Sequence, residues 1–231
     1  MALRESKILE QYFDEIAPNY QFMNGLLSLH LDKYWRLALL KECPCKPNDF
    51  LLDIACGTGD ILTLLKKSNP QILPFGLDLS HGMLAKAKTI DPDLSLLRGN
   101  GIQTPFRDSS FHGITIAFGF RNMPDHDSFL KECFRILKPG GRLLILELTQ
   151  PENFLLRALN RIYLNTILPL ISGMFAKNKE AYQYLAESIE SFPPQSEIQE
   201  KMGAHGYHEP SYLPLSMGIV TLFSGRKPLS E

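Results

Sequence analysis

The stretch Leu51-Leu52-Asp53-Ile54-Ala55-Cys56-Gly57-Thr58-Gly59-Asp60 constrains the fold more than any other part of the chain. An apolar run from Phe50 to Ala55 carries one acid, breaks at two glycines, and passes at once into the amphipathic Ile61–Lys67. This pattern predicts buried strand, tight turn and helix, the first half of a nucleotide-binding βαβ unit. The glycines let backbone approach a ligand where a Cβ would collide, and the helix start offers unpaired N–H groups. Strand and helix patterns go on alternating after Phe50, which argues for a mainly parallel sheet covered on both faces.

Three features at successive strand ends narrow the ligand. The Gly57-x-Gly59 loop lacks the third glycine of a dinucleotide fingerprint, because Leu62 stands at that position. Asp53 and Asp60 make the loop acidic, which repels phosphates and suits a cation carrying a sulfonium and an ammonium group. The second strand, Ile72 to Leu79, brings Asp78 to its end, 19 positions after Gly59. That is close to the ~20 expected of an acid accepting from both ribose hydroxyls. The third strand, Leu94 to Arg98, ends at Asn100-Gly101. Asn100 is either a turn residue or a partner for an adenine edge, and its place in the series favours the adenine. Loop, Asp78 and Asn100 together point to S-adenosylmethionine rather than NAD, with Asp53, Gly57, Thr58, Gly59, Asp78, Asn100 and Gly101 as cofactor-binding candidates.

Other segments fit around this core. Residues 3–16 have helical spacing and break at Ala17-Pro18-Asn19. The aromatic- and Met-rich stretch from Tyr20 to Arg36 is either a helical arm covering the sheet or a lid over donor and substrate. A helix over 31–41 runs into the turn-rich 43–49, and Ser80 is placed to cap a helix over 82–88. The fourth strand, Phe111 to Phe118, leads into Gly119-Phe120-Arg121-Asn122. That loop leaves the carboxyl end of a strand, where α/β sheets bind ligands, so Arg121 and Asn122 are given a substrate-side role ahead of a capping one. A helix over 126–137 precedes a turn at Lys138–Arg142 and a strand over 143–148. Residues 153–176 form a largely apolar helix, a packed core helix or a mobile cover, with a kink expected at Pro169. Helices over 179–190 and 197–202 and a closing hairpin, 207–213 with 217–224, complete the chain.

Bulk properties set limits. The 231 residues suit one domain, and 24 basic against 25 acidic side chains leave no basic excess for nucleic acid. Cys43, Cys45, Cys56 and Cys133 lack the second close pair of a zinc set and read as reduced thiols, with no metal expected. The N-terminus has no signal-peptide core, and no uncharged apolar run reaches the ~18 residues of a membrane span, so a cytoplasmic protein is expected.

The chain resembles the ubiquinone/menaquinone C-methyltransferase family over nearly its whole length. The resemblance is carried by Phe13-Asp14-x-Ile16-Ala17-Pro18-x-Tyr20, Met23-Asn24, Trp35-Arg36, Asp53–Asp60, Phe118–Asn122, Arg135–Arg142, Leu146-Glu147 and Ala181-Tyr182-x-Tyr184-Leu185-x-x-Ser188-Ile189-x-x-Phe192-Pro193. Gln21 stands where the family pattern has Asp, and Asp32 where it tends to have His, with His30 two positions earlier. No proton-transfer role is therefore carried to that position. The resemblance implies a class I S-adenosylmethionine-dependent methyltransferase, Rossmann-like, with a seven-stranded mainly parallel sheet and a C-terminal antiparallel hairpin. It implies an arm or lid over 1–49, a cofactor core over 50–150, a substrate cover over 151–192 and closing elements over 193–231.

The implied reaction is carbon methylation of demethylmenaquinol. Arg121 would then stabilise the oxyanion or orient water, Asn122 would orient the ring, and Tyr20, Met23, Asn24 and the helix over 153–176 would enclose the prenylated naphthoquinol. The alternatives are a benzoquinol of ubiquinone synthesis or another small-molecule acceptor. A nicotinamide dehydrogenase is disfavoured by the missing third glycine, and a silent binding protein by the intact Asp53, Gly57, Gly59 and Asp78. The prenyl tail implies transient contact with a membrane surface, peripheral to its inner face. A homo-oligomer is compatible with the sequence and not required by it.

Overall fold

Strand β1 (Phe50–Ile54) lies at the middle of the sheet, and its Leu51, Leu52 and Ile54 are at most 1% exposed. It pairs in parallel with β2 (Leu73–Asp78) on one side and β4 (Phe111–Ala117) on the other. Outside these lie β3 (Ser95–Arg98), parallel to β2, and β5 (Leu137–Leu148), parallel to β4. Strand β7 (Val220–Arg226) is antiparallel to β5, and β6 (His208–Leu215) closes the edge against it. The order β3-β2-β1-β4-β5-β7-β6 is the seven-stranded, mainly parallel sheet with an antiparallel hairpin that the family resemblance implies. The computed structural model describes residues 10–43, 46–168 and 179–229.

Side-chain alternation divides the core into two layers. Leu52 and Ile54 pack on one face with Phe129, Leu130 and Ile136. Leu51 packs on the other with Trp35, Leu39, Ile61 and Leu65, so the helices Leu31–Glu42 and Asp60–Ser68 cover that side. The chain runs outward from β1 in one direction to β3 and in the other to β5. The crevice between the carboxyl ends of β1 and β4 is therefore the switch point where such sheets bind ligands. Both strands stop there one residue early, because Ala55 and Phe118 take left-handed backbone, φ 53° and 60°. Left-handed non-glycine residues store strain and cluster at functional sites.

The predicted elements move in several places. The turn expected at Lys138–Arg142 is absorbed into β5, whose register against β4 shifts between Phe111 and Gly113. Gly140, at φ 78°, relieves the backbone there. Asp125, not Arg121 or Asn122, caps the helix His126–Ile136, accepting from the Asp127 and Ser128 N–H groups. Ser80 caps His81–Ile90 as expected, accepting from the Met83 N–H at 3.0 Å. The apolar helix is regular only over Phe154–Ile162, then widens to a π-helical turn at Tyr163–Ile167. The kink expected at Pro169 and the Cys45 thiol lie outside the described residues. Cys43, Cys56 and Cys133 are buried. Among the described residues no helix is long and apolar enough to cross a membrane.

Candidate active site

Two cavities meet at the crevice. The first lies over the ends of β1, β2 and β4 and is lined by Gly57, Asp78, Asn100, Gly101 and Asn122. The second, a cavity of about 170 Å³ open to solvent, is walled by the helix Tyr20–Leu27, the helix Leu31–Glu42, the turn Tyr163–Ile167 and the helix Lys179–Glu190. Phe13, Tyr20 and Phe118 border both. A group held in one cavity therefore faces the other across a wall of aromatic rings.

The charge of the first cavity matches its expected occupant. Among the described residues Asp78 and Glu10 line it, and no Lys, Arg or His does. Glu10 is paired with Arg98, so Asp78 carries the acidity. An acidic site without a cation suits a ligand bearing positive charge. Asp78 Oδ2 accepts the Gly57 N–H at 2.8 Å and Oδ1 accepts the Ser80 N–H at 2.9 Å, which ties the β2 end to the glycine loop. Burial raises the Asp78 carboxyl above its ordinary value against the pull of those N–H groups. Gly57 sits at φ +54°, and a Cβ there would meet nothing closer than the Tyr20 ring at 3.9 Å, so it would project into open space. The loop is thus held open for a ligand. Asn100 serves the turn, accepting the Ile102 N–H on Oδ1 at 3.1 Å, and still lines the cavity, with no hydrogen bond to Nδ2 from the described residues.

Three of the seven cofactor candidates sit beneath the cavity rather than at its surface. Asp53 is 2% exposed and accepts the Thr115 hydroxyl at 2.7 Å. Thr58 is buried, with its hydroxyl 3.3 Å from Asp60 Oδ2. Gly59, at φ +80°, lies against Leu94, where a Cβ would come within 2.7 Å. These residues shape the loop, and sequence spacing cannot separate that duty from ligand contact.

Burial pushes the Asp53 carboxyl from 3.8 up to about 7, because a charge between packed strands loses its hydration. A raised carboxyl favours the fold while protonated, and that stability is lost as pH climbs from about 4 to about 7. Asp53→Asn keeps the Thr115 contact and carries no charge. In thermal unfolding of the ligand-free protein, it is expected to match the wild type near pH 4 and exceed it at pH 8. The gap corresponds to at most about 4 kcal/mol, or several degrees. An equal or lower melting temperature at pH 8 would rule the account out.

The second cavity is apolar apart from a few aimed groups. Tyr20, Met23 and Asn24 line it as expected. Met23 is 4% exposed and packs with Leu164 and Leu168, so its contribution is to the wall. Burial holds the Tyr20 phenol above its ordinary value, which keeps it a proton donor, while Asn24, Arg36 and Arg121 pull the other way. Arg121 reaches the same cavity. Its Nη1 donates to Glu147 Oε1 and to the Phe118 carbonyl, both at 2.6 Å, and its Nε donates to Ser188 Oγ at 3.2 Å. Its backbone N–H adds a bond to Glu147 Oε2. Nη2 is left without a hydrogen-bond partner among the described residues. A guanidinium clamped to a fully buried carboxylate stays charged, with one N–H edge for a ligand oxygen. Asn122, by contrast, lines the first cavity, with Oδ1 held by the Tyr184 hydroxyl at 3.0 Å. A ring-orienting role taken from inside the second cavity does not fit that placement. Asn122 stands on the boundary.

Residue reading assigned no role to the groups that position these side chains. Glu147 is the buried counter-ion of Arg121, and the signal was a lone carboxylate inside the apolar run 143–148. Arg36 pairs with Asp32 and reaches Asp60 at 3.4 Å, with its guanidinium 5.3 Å from the Phe118 ring centre. Gln21 Nε2 donates to Asp60 Oδ1 at 2.6 Å. The two departures from the family pattern, Gln21 and Asp32, thus join one network between the glycine loop and the apolar cavity. An acid at 21 would repel Asp60 where the amide donates to it.

A family model described as the ubiE/COQ5 methyltransferase family matches residues 1–227. The chain belongs to that family. It is 37% identical to the ubiquinone/menaquinone biosynthesis C-methyltransferase UbiE of Geotalea daltonii, over 95% of this chain and 96% of that one. It is 36% identical to the demethylmenaquinone methyltransferase of Thermus thermophilus, over 94% and 100%. Among solved structures, it is similar to a SAM-dependent methyltransferase of Thermotoga maritima, with a TM-score of 0.68, 19% identity and coverage of 94% and 98%. It is also similar to Haemonchus contortus phosphoethanolamine N-methyltransferase 2, solved with phosphomonomethylethanolamine and S-adenosylhomocysteine. That match has a TM-score of 0.62 and 17% identity, over 84% of this chain and 52% of that one. The shared fold is that of class I methyltransferases, and S-adenosylmethionine is the methyl donor of this family member.

Proposed function

We propose that the protein transfers a methyl group from S-adenosylmethionine to the ring carbon of a prenylated naphthoquinol, converting demethylmenaquinol to menaquinol. The observation that carries the reading is the junction between a cavity bearing Asp78, with no Lys, Arg or His among its described lining residues, and an apolar one across Phe13, Tyr20 and Phe118. The arrangement suits a polar, positively charged donor meeting a greasy aromatic acceptor. The donor supplies an electrophilic methyl on sulfur. Attack of the ring carbon on that methyl would form a C–C bond at the expense of the C–S bond, with S-adenosylhomocysteine as leaving group. The displaced ring proton would be released to water as the ring regains aromaticity.

The chain's own work is placement and charge. Asp78, Gly57 and Asn100 are assigned the nucleoside end, and the loop residues Asp53, Thr58, Gly59 and Gly101 shape its seat. Tyr20, Asn24 and the apolar walls hold the quinol ring in line with the donor, and such positioning supplies much of the rate. A ring carbon becomes a good nucleophile as the neighbouring hydroxyl gives up its proton. Arg121 Nη2 is assigned to the developing oxyanion, where a fixed cation is worth most. Arg121 cannot itself be the proton acceptor, because a guanidinium has no acceptor atom and stays protonated in proteins. The 1–49 arm, the 50–150 core, the 151–192 cover and the 193–231 closing elements are read as parts of one catalytic unit. The prenyl tail brings the protein to a membrane surface from the cytoplasmic side.

Incubation with S-adenosylmethionine and reduced demethylmenaquinone is expected to give the singly methylated quinone by mass spectrometry. A tail-matched benzoquinol run in parallel is expected to turn over at least tenfold more slowly. Methylation of the benzoquinol alone would assign the ubiquinone-pathway reaction instead, and methylation of neither would remove the proposal.

A further inference from the structure

The walls of the apolar cavity have two apolar sides. In the helix Phe154–Ile162, Asn160 lines the cavity, and Tyr163, Leu164 and Leu168 continue the lining beyond it. On that helix Phe154, Leu155, Leu159 and Ile162 are 74%, 60%, 63% and 57% exposed. At 100° per residue these four fall on one arc, away from Asn160, with Arg157 and Arg161 along its edge. A globular helix ordinarily buries its apolar arc against the core. This one presents it to solvent.

Two neighbouring segments repeat the pattern. Leu27 and Ser28 line the cavity while Leu29 is 78% exposed; Ile219 lines it while Met217 is 71% exposed. These segments adjoin the helix. The Tyr163 hydroxyl donates to the Leu27 carbonyl at 2.6 Å, and a Cβ on Gly218 would lie 3.3 Å from Pro151 Cα, just ahead of Phe154. Six large apolar side chains therefore stand outward on the same segments that wall the cavity. Scattered single hydrophobics need no explanation, but a group of this kind marks an interaction surface.

We infer that this rim, Leu29, Met217 and the outer arc of Phe154–Ile162, is the face that docks on a lipid bilayer. The inference rests on the proposed prenylated substrate, whose tail resides in lipid. An amphipathic helix with arginines at the edge of its apolar arc lies in the headgroup boundary of a membrane. Arg161 is 73% exposed at the side chain with a loose 3.4 Å pairing to Glu190, so it can meet phosphates. Arg157 is exposed but donates Nε to the Pro151 carbonyl at 2.9 Å and Nη2 to the Glu152 carbonyl at 3.4 Å, which leaves Nη1 for a headgroup. A second protein copy seated here would close over the walls of the cavity the tail must enter. A bilayer leaves that path continuous with its own hydrocarbon.

The test compares the wild type with Phe154→Asp/Leu159→Asp, two exposed positions outside both cavities. Unchanged melting temperature and S-adenosylhomocysteine affinity will show that the variant is folded. The wild type is expected to co-sediment with phosphatidylcholine vesicles, and more strongly when they contain phosphatidylglycerol, while the variant binds at least tenfold more weakly. Turnover of vesicle-borne demethylmenaquinol is expected to fall at least tenfold in the variant, with turnover of tail-less naphthoquinol in buffer unchanged. Wild-type protein that sediments with neither vesicle, or a variant that sediments like it, would overturn the inference. So would a vesicle-free dimer that the variant breaks to monomers, since a second copy would then own the face. If no quinol is methylated but vesicle binding still depends on Phe154 and Leu159, the substrate assignment fails and the docking face stands.

Discussion

Arg121→Ala is expected to lower turnover at saturating quinol by about 10²–10³-fold, the usual loss when one oxyanion-stabilising donor is removed. Donor affinity should change little, because Arg121 lines the second cavity, proposed for the acceptor, and not the first. The substitution has a second effect that must be separated from the first. Glu147 is fully buried, and an unpaired buried charge costs about 3–5 kcal/mol. Arg121→Ala is therefore expected to melt well below the wild type. Arg121→Ala/Glu147→Gln removes the stranded charge and should recover much of the stability with none of the turnover. Arg121→Lys keeps the charge but cannot span Glu147, Ser188 and the ligand edge together, so it is expected to rescue only partly. Normal turnover in a folded Arg121→Ala protein would end the assignment.

Asp78→Ala is expected to weaken S-adenosylhomocysteine binding by about 10²-fold in isothermal titration. The carboxylate accepts the Gly57 and Ser80 N–H groups, and a bond to a charged acceptor is worth about 1.5–3 kcal/mol. Losing it frees the glycine loop as well as the contact assigned to the ribose. Asp78→Asn retains one acceptor oxygen but turns an amide N–H toward one of those donors, so it should fall between the two. Quinol KM is expected to stay within about twofold in both, because the acceptor cavity does not include Asp78. An unchanged dissociation constant for Asp78→Ala would remove the residue from the donor site.

Legibility followed the range of the interaction. The glycine loop, Asp78 and Asn100 were found from sequence because strand, turn and helix periodicity place them within one βαβ series. Ser80 as a cap was legible for the same reason. The turn at Lys138–Arg142 misled because a bulge lets β5 extend through it, and pairing partners in another strand decide such a bulge. Arg121 and Asn122, neighbours in a short turn and given one substrate-side role from sequence, line different cavities. Adjacent side chains in such a turn point in different directions. Glu147 was visible as an acid in an apolar strand, yet its partner lies 26 residues earlier. Nothing in either segment names the other.

The sequence by itself determined the mainly parallel sheet, from local hydrogen bonding and apolar periodicity, and the family, from its motifs. The two loop acids it relied on for the donor lie outside the donor cavity, Asp53 buried beneath it and Asp60 bound to Arg36 and Gln21. Only the tertiary structure decided that Asp53, Thr58 and Gly59 support the loop from beneath, and that Gln21 and Asp32 join the Arg36 network. It alone showed Arg121 held with one N–H edge facing an apolar cavity. Those outcomes depend on which side chains share a volume after strands and helices have packed. That is fixed by burial, desolvation and close contact among residues far apart in the chain.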